Sequence, residues 1–382
     1  MRQWFLGLSA VSVLACAGGR FDSGLDSGDS GRGAAACQDA PTLPTDPTGY
    51  TVGWRWDDQV GGSVSDTVAF TVPEGTVSLA ATMDAGTSPV AWSLVRNGST
   101  WVDLYNDPDW GGPPFKPSLG VASTVVLPNN ESTWPQAGCL RLQAVSLDDL
   151  QSATLWVGSR QTQVGSSIDL NVYIVGDTVL YEDELEAALT VMFDLYVEGN
   201  GPAIGEIALW SLDGSAFVSP GGEDMQQMMR ASEGTGDPRA VDLFFITDFT
   251  ESGILGMASG LPGAVMVDGT GASGVVLSVD SHLDGSGQVV DTDLLGETIA
   301  HEVGHQLGLF HLTESEGDDF DPIADTPECP PNHDDNGDGV VDADECIGLG
   351  GDNFMFWVPG NVRQDAVSST QSDVLWFSPV VK

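Results

Sequence analysis

The sequence predicts an α+β domain over residues 166–382, preceded by an all-β domain of the sandwich or jelly-roll type over residues 39–165. Two patterns support this division. The first half consists of short alternating segments between turn signals such as Asn97-Gly98, without a stretch of helical periodicity. The second half alternates strand-like and helix-like segments and leads into one helix that carries histidines. A chain of 382 residues is long enough for two such domains.

The predicted elements of both halves are bounded by turns that contain glycine, proline or asparagine. Seven of the eleven tryptophans fall in the first half, where we expect a buried core rather than an exposed aromatic row for a glycan or protein. Candidate strands of the first half are Tyr50–Trp56, Thr67–Val72, Val77–Thr82, Val90–Arg96, Thr124–Leu127, Gly138–Val145 and Ala153–Val157. Those of the second half are Ile168–Val175, Ile204–Leu212, Ala240–Thr247, Val265–Val267 and Val275–Val279, with helices Glu182–Tyr196, Asp224–Ala231 and Asp293–Leu309.

The composition is strongly acidic. The chain has 12 Lys+Arg against 56 Asp+Glu, a formal net charge of −44. Nucleic acid is excluded as an expected partner, because phosphate binding requires clustered cations. Most of these carboxylates are expected on a solvated surface, which also suits divalent cations and basic substrates.

The first 16 residues have the features of a bacterial export signal. A charged start is followed by the apolar run 4–15, which is too short to span a bilayer. Val13-Leu14-Ala15-Cys16 resembles a lipobox, which implies cleavage before Cys16 and lipidation of its sulfur; an ordinary signal peptide cut nearby is the alternative. Residues 17–38 are a flexible Gly/Ser/Asp linker. We therefore expect an outer-membrane or cell-surface lipoprotein, or a secreted protein, whose only membrane contact is the lipid anchor.

The stretch HEVGHQLGLFH, residues 301–311, is the strongest chemical signal in the sequence. His301 and His305 are one helical turn apart and can reach one zinc ion at about 2.0–2.1 Å. Gly308 can adopt the left-handed conformation that ends the helix, so that His311 returns as a third ligand. Three imidazoles leave one coordination position open, as in catalytic zinc sites. Glu302 lies beside His301, within reach of a water on the metal.

This stretch resembles the elongated zinc signature of the metzincin metallopeptidases. Two elements downstream are similar to the pappalysin branch of that family: Asp325-Thr326-Pro327, and Asn353-Phe354-Met355, where Met355 corresponds to the Met-turn methionine beneath the metal. The resemblance implies a metzincin-like catalytic domain, one catalytic Zn²⁺ and Glu302 as the general base. It also implies that the segment from Gly253 to Ser259 is an edge strand that holds extended substrate, although a buried glycine loop is equally compatible.

The sequence thus predicts a zinc-dependent endopeptidase, expected to be a monomer, that hydrolyses extracellular proteins through a zinc-bound water and a glutamate base. A non-catalytic adhesion lipoprotein with a metzincin-like domain is the main alternative, and a hydrolase of non-protein substrates is the second. One departure favours the first alternative. The family commonly has a tyrosine two residues after the Met-turn methionine, and this chain has Trp357 there, after Phe356.

The twelve residues from Asp334 to Glu345 match the calcium-loop pattern, with glycine at the sharp turn. A solvated acidic loop is the alternative. The flanking prolines and glycines argue against a helix pair, so a bound Ca²⁺ would be structural. The expected oxygen ligands come from Asp334, Asn336, Asp338, the Val340 carbonyl, Asp342 and Glu345.

The five cysteines fit an exported protein. If Cys16 carries a lipid, the order of the other four suggests Cys37–Cys139 and Cys329–Cys346 as disulfides in an oxidising compartment. A latency switch, in which Cys37 blocks the zinc, is a weaker alternative because it leaves one cysteine unpaired.

The two remaining histidines, His282 and His333, are expected to be solvated.

Overall fold

The structure is a computed structural model that describes residues 37, 39–103, 120–161, 165–214, 217 and 219–382. The predicted export signal, the lipidation site Cys16 and nearly all of the linker lie outside the described residues. Among the helices of the described part, none combines the length and the apolar character that a membrane span requires.

Nine antiparallel strands occupy the described part of the chain before residue 161. β1 pairs with β9 through residues 48–53 and with β2 through residues 54–57, so it belongs to two groups of strands. Their buried side chains meet in one core, which includes Trp54 and Trp92, whereas Trp56 is exposed. The strands are β1 (Thr48–Asp57), β2 (Gly62–Ser65), β3 (Val68–Val72), β4 (Ser78–Asp84), β5 (Ala91–Asn97), β6 (Ser99–Asp103), β7 (Ala122–Leu127), β8 (Gly138–Ser146) and β9 (Ser152–Arg160).

The second half forms a five-stranded sheet in the order β11-β10-β12-β14-β13. The first four strands of this order are parallel, and β13 is an antiparallel edge strand. The predicted strand at residues 265–267 is wrong: this stretch is irregular. The elements are β10 (Ser167–Val175), α1 (Glu182–Glu198), β11 (Ala203–Leu212), α2 (Gly222–Arg230), β12 (Val241–Ile246), β13 (Gly256–Ala258), β14 (Val275–Ser278), α3 (Thr292–Leu307) and α4 (Ser369–Trp376).

The helix with the histidine motif, α3, is buried along most of its length. It begins where the side chain of Asp291 accepts a hydrogen bond from the Leu294 N–H, and it ends at Gly308, whose φ of 113° is left-handed as expected. Helix α1 packs closely against it, since the Tyr196 hydroxyl donates to the Ala300 carbonyl at 2.9 Å. These contacts fix the ends of α3 and its position against α1.

The chain after α3 is mostly irregular and is held by specific bonds. Cys329 and Cys346 form a disulfide in this part of the chain, and Cys37 and Cys139 form another in the first half; both are pairs expected from the order of the cysteines. Helix α4 was not predicted. Its first turn donates to the Asp325 carboxylate, from the hydroxyls of Ser368 and Ser369 and the N–H of Thr370. The aspartate of the Asp-Thr-Pro element therefore anchors this helix.

Candidate metal centre and active site

Three histidines converge on one point, as their spacing predicts. Nε2 of His311 lies 3.2 Å from Nε2 of His301 and 3.0 Å from Nε2 of His305. Among the described residues, they form the one group of three or more His, Cys, Asp or Glu whose ligand atoms are close enough to hold a metal ion. Helix α3 supplies the first two, and the turn at Gly308 returns the third.

The outer nitrogen of each ring is hydrogen-bonded, which sets the tautomer. Nδ1–H of His301 donates to the Phe354 carbonyl at 2.7 Å, and Nδ1–H of His305 donates to the Leu309 carbonyl at 2.8 Å. Because these carbonyls only accept, each Nε2 carries the free lone pair that a metal requires. Burial lowers the pKa of His301 to about 3 and places the pKa of His305 well below its usual value, so both rings are neutral.

The third ring has a different partner. Nδ1 of His311 lies 3.1 Å from Oε2 of Glu314, three residues later in the chain. A carboxylate behind a ligating imidazole orients the ring and makes it a stronger donor. Glu314 was not predicted as a site residue; its place three residues after His311 is the sequence signal for this contact.

The donor set fits zinc. Two ligands that sit about 2.0–2.1 Å from a tetrahedral ion are about 3.3 Å apart. The observed Nε2 separations of 3.2 and 3.0 Å are close to this value. A set of three imidazole nitrogens also suits Zn²⁺, which is borderline-soft, better than it suits calcium or magnesium, which prefer oxygen ligands.

Glu302 is buried between helix α3 and the edge strand β13. Its Oε2 accepts a hydrogen bond from the Ala258 N–H at 2.7 Å. A Cβ at Gly256 would lie 2.7 Å from Cγ of Glu302, so the strand backbone approaches this side chain closely. Burial raises the pKa of Glu302 to about 8, and the Ala258 bond opposes that shift.

Met355 lies directly against the histidine helix. Its side chain is fully buried, and a Cβ at Gly304 would lie 2.6 Å from its Sδ. Its backbone N–H donates to the side chain of Asn353, which also pairs with Gln371 of α4. The turn therefore places the Phe354 carbonyl behind His301.

A cavity of about 340 Å³ opens beside His301 and Glu302. One wall comes from α3, through Leu294, Glu297 and Thr298. The other walls come from β13 and from the segment on both sides of Met355; they include Gly256, Phe354, Phe356, Trp357, Val358, Pro359 and Gly360. Glu297 is partly buried there, and burial raises its pKa. The lining is mainly apolar, with this carboxylate at its edge.

His282 is not solvated, contrary to the prediction. It is fully buried, its Nδ1–H donates to the Ser278 carbonyl at 2.6 Å, and its Nε2 lies 2.9 Å from the Thr298 hydroxyl. Burial lowers its pKa to about 4. It therefore joins the sheet to the helix face that lines the cavity. No local sequence pattern marks this contact.

The acidic loop is closed by its own hydrogen bonds. Both carboxylate oxygens of Asp334 accept backbone N–H groups, including that of Gly339 at 2.9 Å. The carboxylate of Glu345 accepts N–H groups from Asp335, Asn336 and Asp342. Gly337 and Gly339 have positive φ, as sharp turns require. A calcium ion at this loop stays a prediction.

Comparisons with known proteins show a distant likeness of fold. No protein-family model matches the chain, and no curated protein matches its sequence. Archaemetzincin from Methanopyrus kandleri is 16% identical with a TM-score of 0.27, over 56% of this chain and 89% of that one. Metalloproteinase-II from Bacteroides fragilis is 12% identical with a TM-score of 0.34, over 56% and 53%. Because both TM-scores are low, function has to be inferred from the site itself.

Proposed function

We propose that this chain is a zinc-dependent endopeptidase of the metzincin type that hydrolyses exported or extracellular proteins. The observation that carries the proposal is the convergence of three Nε2 atoms beside a buried glutamate of the same helix. The Met-turn contact with Gly304 and the sequence resemblance to the pappalysin branch support it further. The two disulfides are consistent with an oxidising compartment outside the cytoplasm.

The residues of the site would have different roles in hydrolysis. His301, His305 and His311 would hold the zinc. When bound, zinc lowers the pKa of a water to about 7 and polarises the scissile carbonyl. Glu302 accepts the proton of the attacking water and passes it to the leaving amine. A cation held by the three histidines would favour the ionised form of Glu302, against the effect of burial on its pKa.

We propose that substrate binds as an extended strand along β13. In an antiparallel pair, alternate residues direct their N–H and C=O groups outward. The Leu255 carbonyl accepts from Ser278 of β14, and the Ser259 N–H donates to Gly274 just before β14, so the backbone groups of Gly256 and Ala258 point to the other edge. The Ala258 N–H there donates to Glu302, which leaves the Gly256 groups and the Ala258 carbonyl for a substrate. The neighbouring cavity would take one substrate side chain. With a net charge of −44 on the chain, we expect basic residues near the cleaved bond.

Glu302→Gln tests the role of the glutamate. The amide keeps the size of the side chain but cannot accept the proton, so we expect zinc retention near one ion per chain and a loss of casein hydrolysis. Wild-type protein with a zinc chelator is the control for metal dependence. Retained hydrolysis in the variant would overturn this role for Glu302, and wild-type protein that binds zinc without cleaving would favour the adhesion alternative.

We also propose a structural Ca²⁺ in the loop from Asp334 to Glu345. The full match to the calcium-loop pattern and the closure of the loop by Glu345 support this assignment.

Lipidation of Cys16 after export is proposed from the lipobox. Incorporation of labelled palmitate in a bacterial host, abolished by Cys16→Ala, is the result expected.

A further inference from the structure

We infer that the acidic loop from Asp334 to Glu345 positions one wall of the active-site cavity, and that Asp344 is a specificity-determining positioning residue through this contact. The wall is the segment Trp357–Asn361, called the cavity wall below. The inference rests on the proposed peptidase function, because it assigns a substrate side chain to the cavity. It concerns which side chains are accepted, not the chemistry at Glu302.

The first end of the cavity wall is fixed by the indole of Trp357. Its Nε1–H donates to the Val341 carbonyl at 2.7 Å. Val341 is itself fully buried, and its N–H donates to the Ser315 carbonyl at 2.8 Å. The acceptor for the indole is therefore a backbone group held at a fixed place by the loop.

The second end of the cavity wall is fixed by Asp344. The backbone N–H of Asn361 donates to Oδ1 of Asp344 at 3.0 Å, and the Asn361 amide donates to Oδ2. Between these two ends, Gly360 lies against the loop, since a Cβ there would be 2.7 Å from Cβ of Ala343. Both carboxylate oxygens of Asp344 are thus used to hold the wall.

The loop is a firm support for these contacts. The disulfide Cys329–Cys346 closes it directly after Glu345, whose carboxylate accepts N–H groups from the opposite side of the loop. Val358 of the wall is also bonded to the chain beyond it, because the Gln364 amide donates to the Val358 carbonyl at 2.9 Å. The wall is therefore held by the loop at its two ends and by Gln364 at Val358.

The cavity wall contacts the loop on one side and lines the cavity on the other. Leu294 and Thr298 of α3 line the same cavity. Helix α3 is buried and fixed, so the distance from wall to helix sets the width of the cavity. Loss of the Asp344 contact would let the wall move outward. A wider cavity discriminates less between large and small side chains, because part of the favourable packing is lost.

The same geometry accounts for Trp357 at the position where the resembled family has a tyrosine. The indole N–H of Trp357 donates to the Val341 carbonyl, so the side chain is held in place as part of the cavity wall. This role is independent of calcium. Asp344 and Asp335 occupy the two acidic positions of the loop that are not ligands in the calcium pattern, so each can be changed without removing a ligand.

The test compares Asp344→Ala with the matched control Asp335→Ala in the full chain. Each is assayed with two peptides that differ only in one residue beside the cleaved bond, leucine in one and alanine in the other. We expect the ratio of the two kcat/KM values to fall about tenfold in Asp344→Ala and to stay at the wild-type value in the control. Zinc content and thermal unfolding are measured on the same samples.

A second variant, Asn361→Ala, keeps the test independent of activity. It removes the side-chain amide of Asn361 but keeps its backbone N–H bond to Asp344, whereas Asp344→Ala removes both bonds. Hydrogen exchange of the backbone amides of Trp357, Val358, Gly360 and Asn361 should therefore become faster in Asn361→Ala and faster still in Asp344→Ala. Combined with Asp344→Ala, its effect on the peptide ratio should be less than additive. Unchanged exchange, or an unchanged ratio in an active Asp344→Ala enzyme, would overturn the inference. A wild-type protein without peptidase activity would instead overturn the proposed function.

Discussion

At the scale of single residues, the candidate site depends on the group that is hydrogen-bonded to Nδ1 of each histidine. His301 and His305 are backed by main-chain carbonyls, which mutation of a side chain leaves in place. His311 is backed by a carboxylate, that of Glu314. A charged acceptor strengthens the imidazole as a ligand. We therefore expect the metal affinity to depend on Glu314 as well as on the three histidines.

Glu314→Gln should weaken zinc binding about 10–100-fold, because a neutral amide holds the ring less firmly and polarises it less. The dissociation constant is measured by competition with a chromogenic chelator. Glu316→Gln is the matched control, since Glu316 is exposed and bonds only to the neighbouring Ser315 hydroxyl. Equal zinc affinity in the two variants would contradict the role given to Glu314.

At the scale of elements, the site is made by the meeting of α3 with the short strand β13. The Ala258 N–H and the close approach of Gly256 hold the Glu302 carboxylate against the strand edge. The strand that would bind substrate therefore also positions the proposed base. A change in the gap between these elements should affect catalysis without affecting the zinc ligands.

Gly256→Ala should lower kcat/KM about 100-fold at constant zinc content, because its Cβ would displace the Glu302 side chain. The measurement is steady-state hydrolysis of a peptide together with metal analysis. Gly285→Ala is the control, since a Cβ at Gly285 meets nothing within 4 Å. Wild-type activity in Gly256→Ala would show that this close approach has no role in catalysis.

The elements that the sequence predicted correctly are those with local signals. The three histidines, the αL residue Gly308 and the start of α3 within a residue of the expected position all follow from spacing and capping. What was missed depends on long-range contacts. The buried His282 is hydrogen-bonded to Thr298, sixteen residues away, and α4 is anchored by Asp325, more than forty residues earlier. Contacts between residues this far apart in the chain produce no periodic pattern in the sequence.

At the scale of the whole molecule, the two sheets are joined by apolar and polar contacts. Ala80 and Val126 of the first sheet belong to the same buried cluster as residues of α1 and α3. Arg160 at the end of β9 donates to the Trp376 carbonyl at 2.8 Å, and Arg230 forms an ion pair with Asp84. The histidine helix therefore rests on a core that both halves share.

Asp242 of β12 makes the stability of this core depend on pH. It is buried, which raises its pKa to about 7 despite a hydrogen bond from Asn171. The unfolded chain loses this proton near its ordinary pKa of 3.8, so the folded state is destabilised as pH rises from there to about 7. Asp242→Asn cannot ionise and should be more stable than wild type above pH 7, by up to about 4 kcal/mol.

Urea unfolding at about pH 4 and pH 8 measures this effect, and the advantage of Asp242→Asn should nearly vanish at the lower pH. Asp213→Asn, at an exposed position, is the control for the loss of one charge. A stability difference that does not change with pH would contradict the buried-acid explanation.

The most direct test of the central claim is the metal content of the purified protein, measured by mass spectrometry for wild type and for His305→Ala. The three converging Nε2 atoms predict about one zinc per wild-type chain and a large loss of zinc in the variant. Wild-type protein that binds no zinc, even after incubation with the metal, would contradict the assignment of the three histidines.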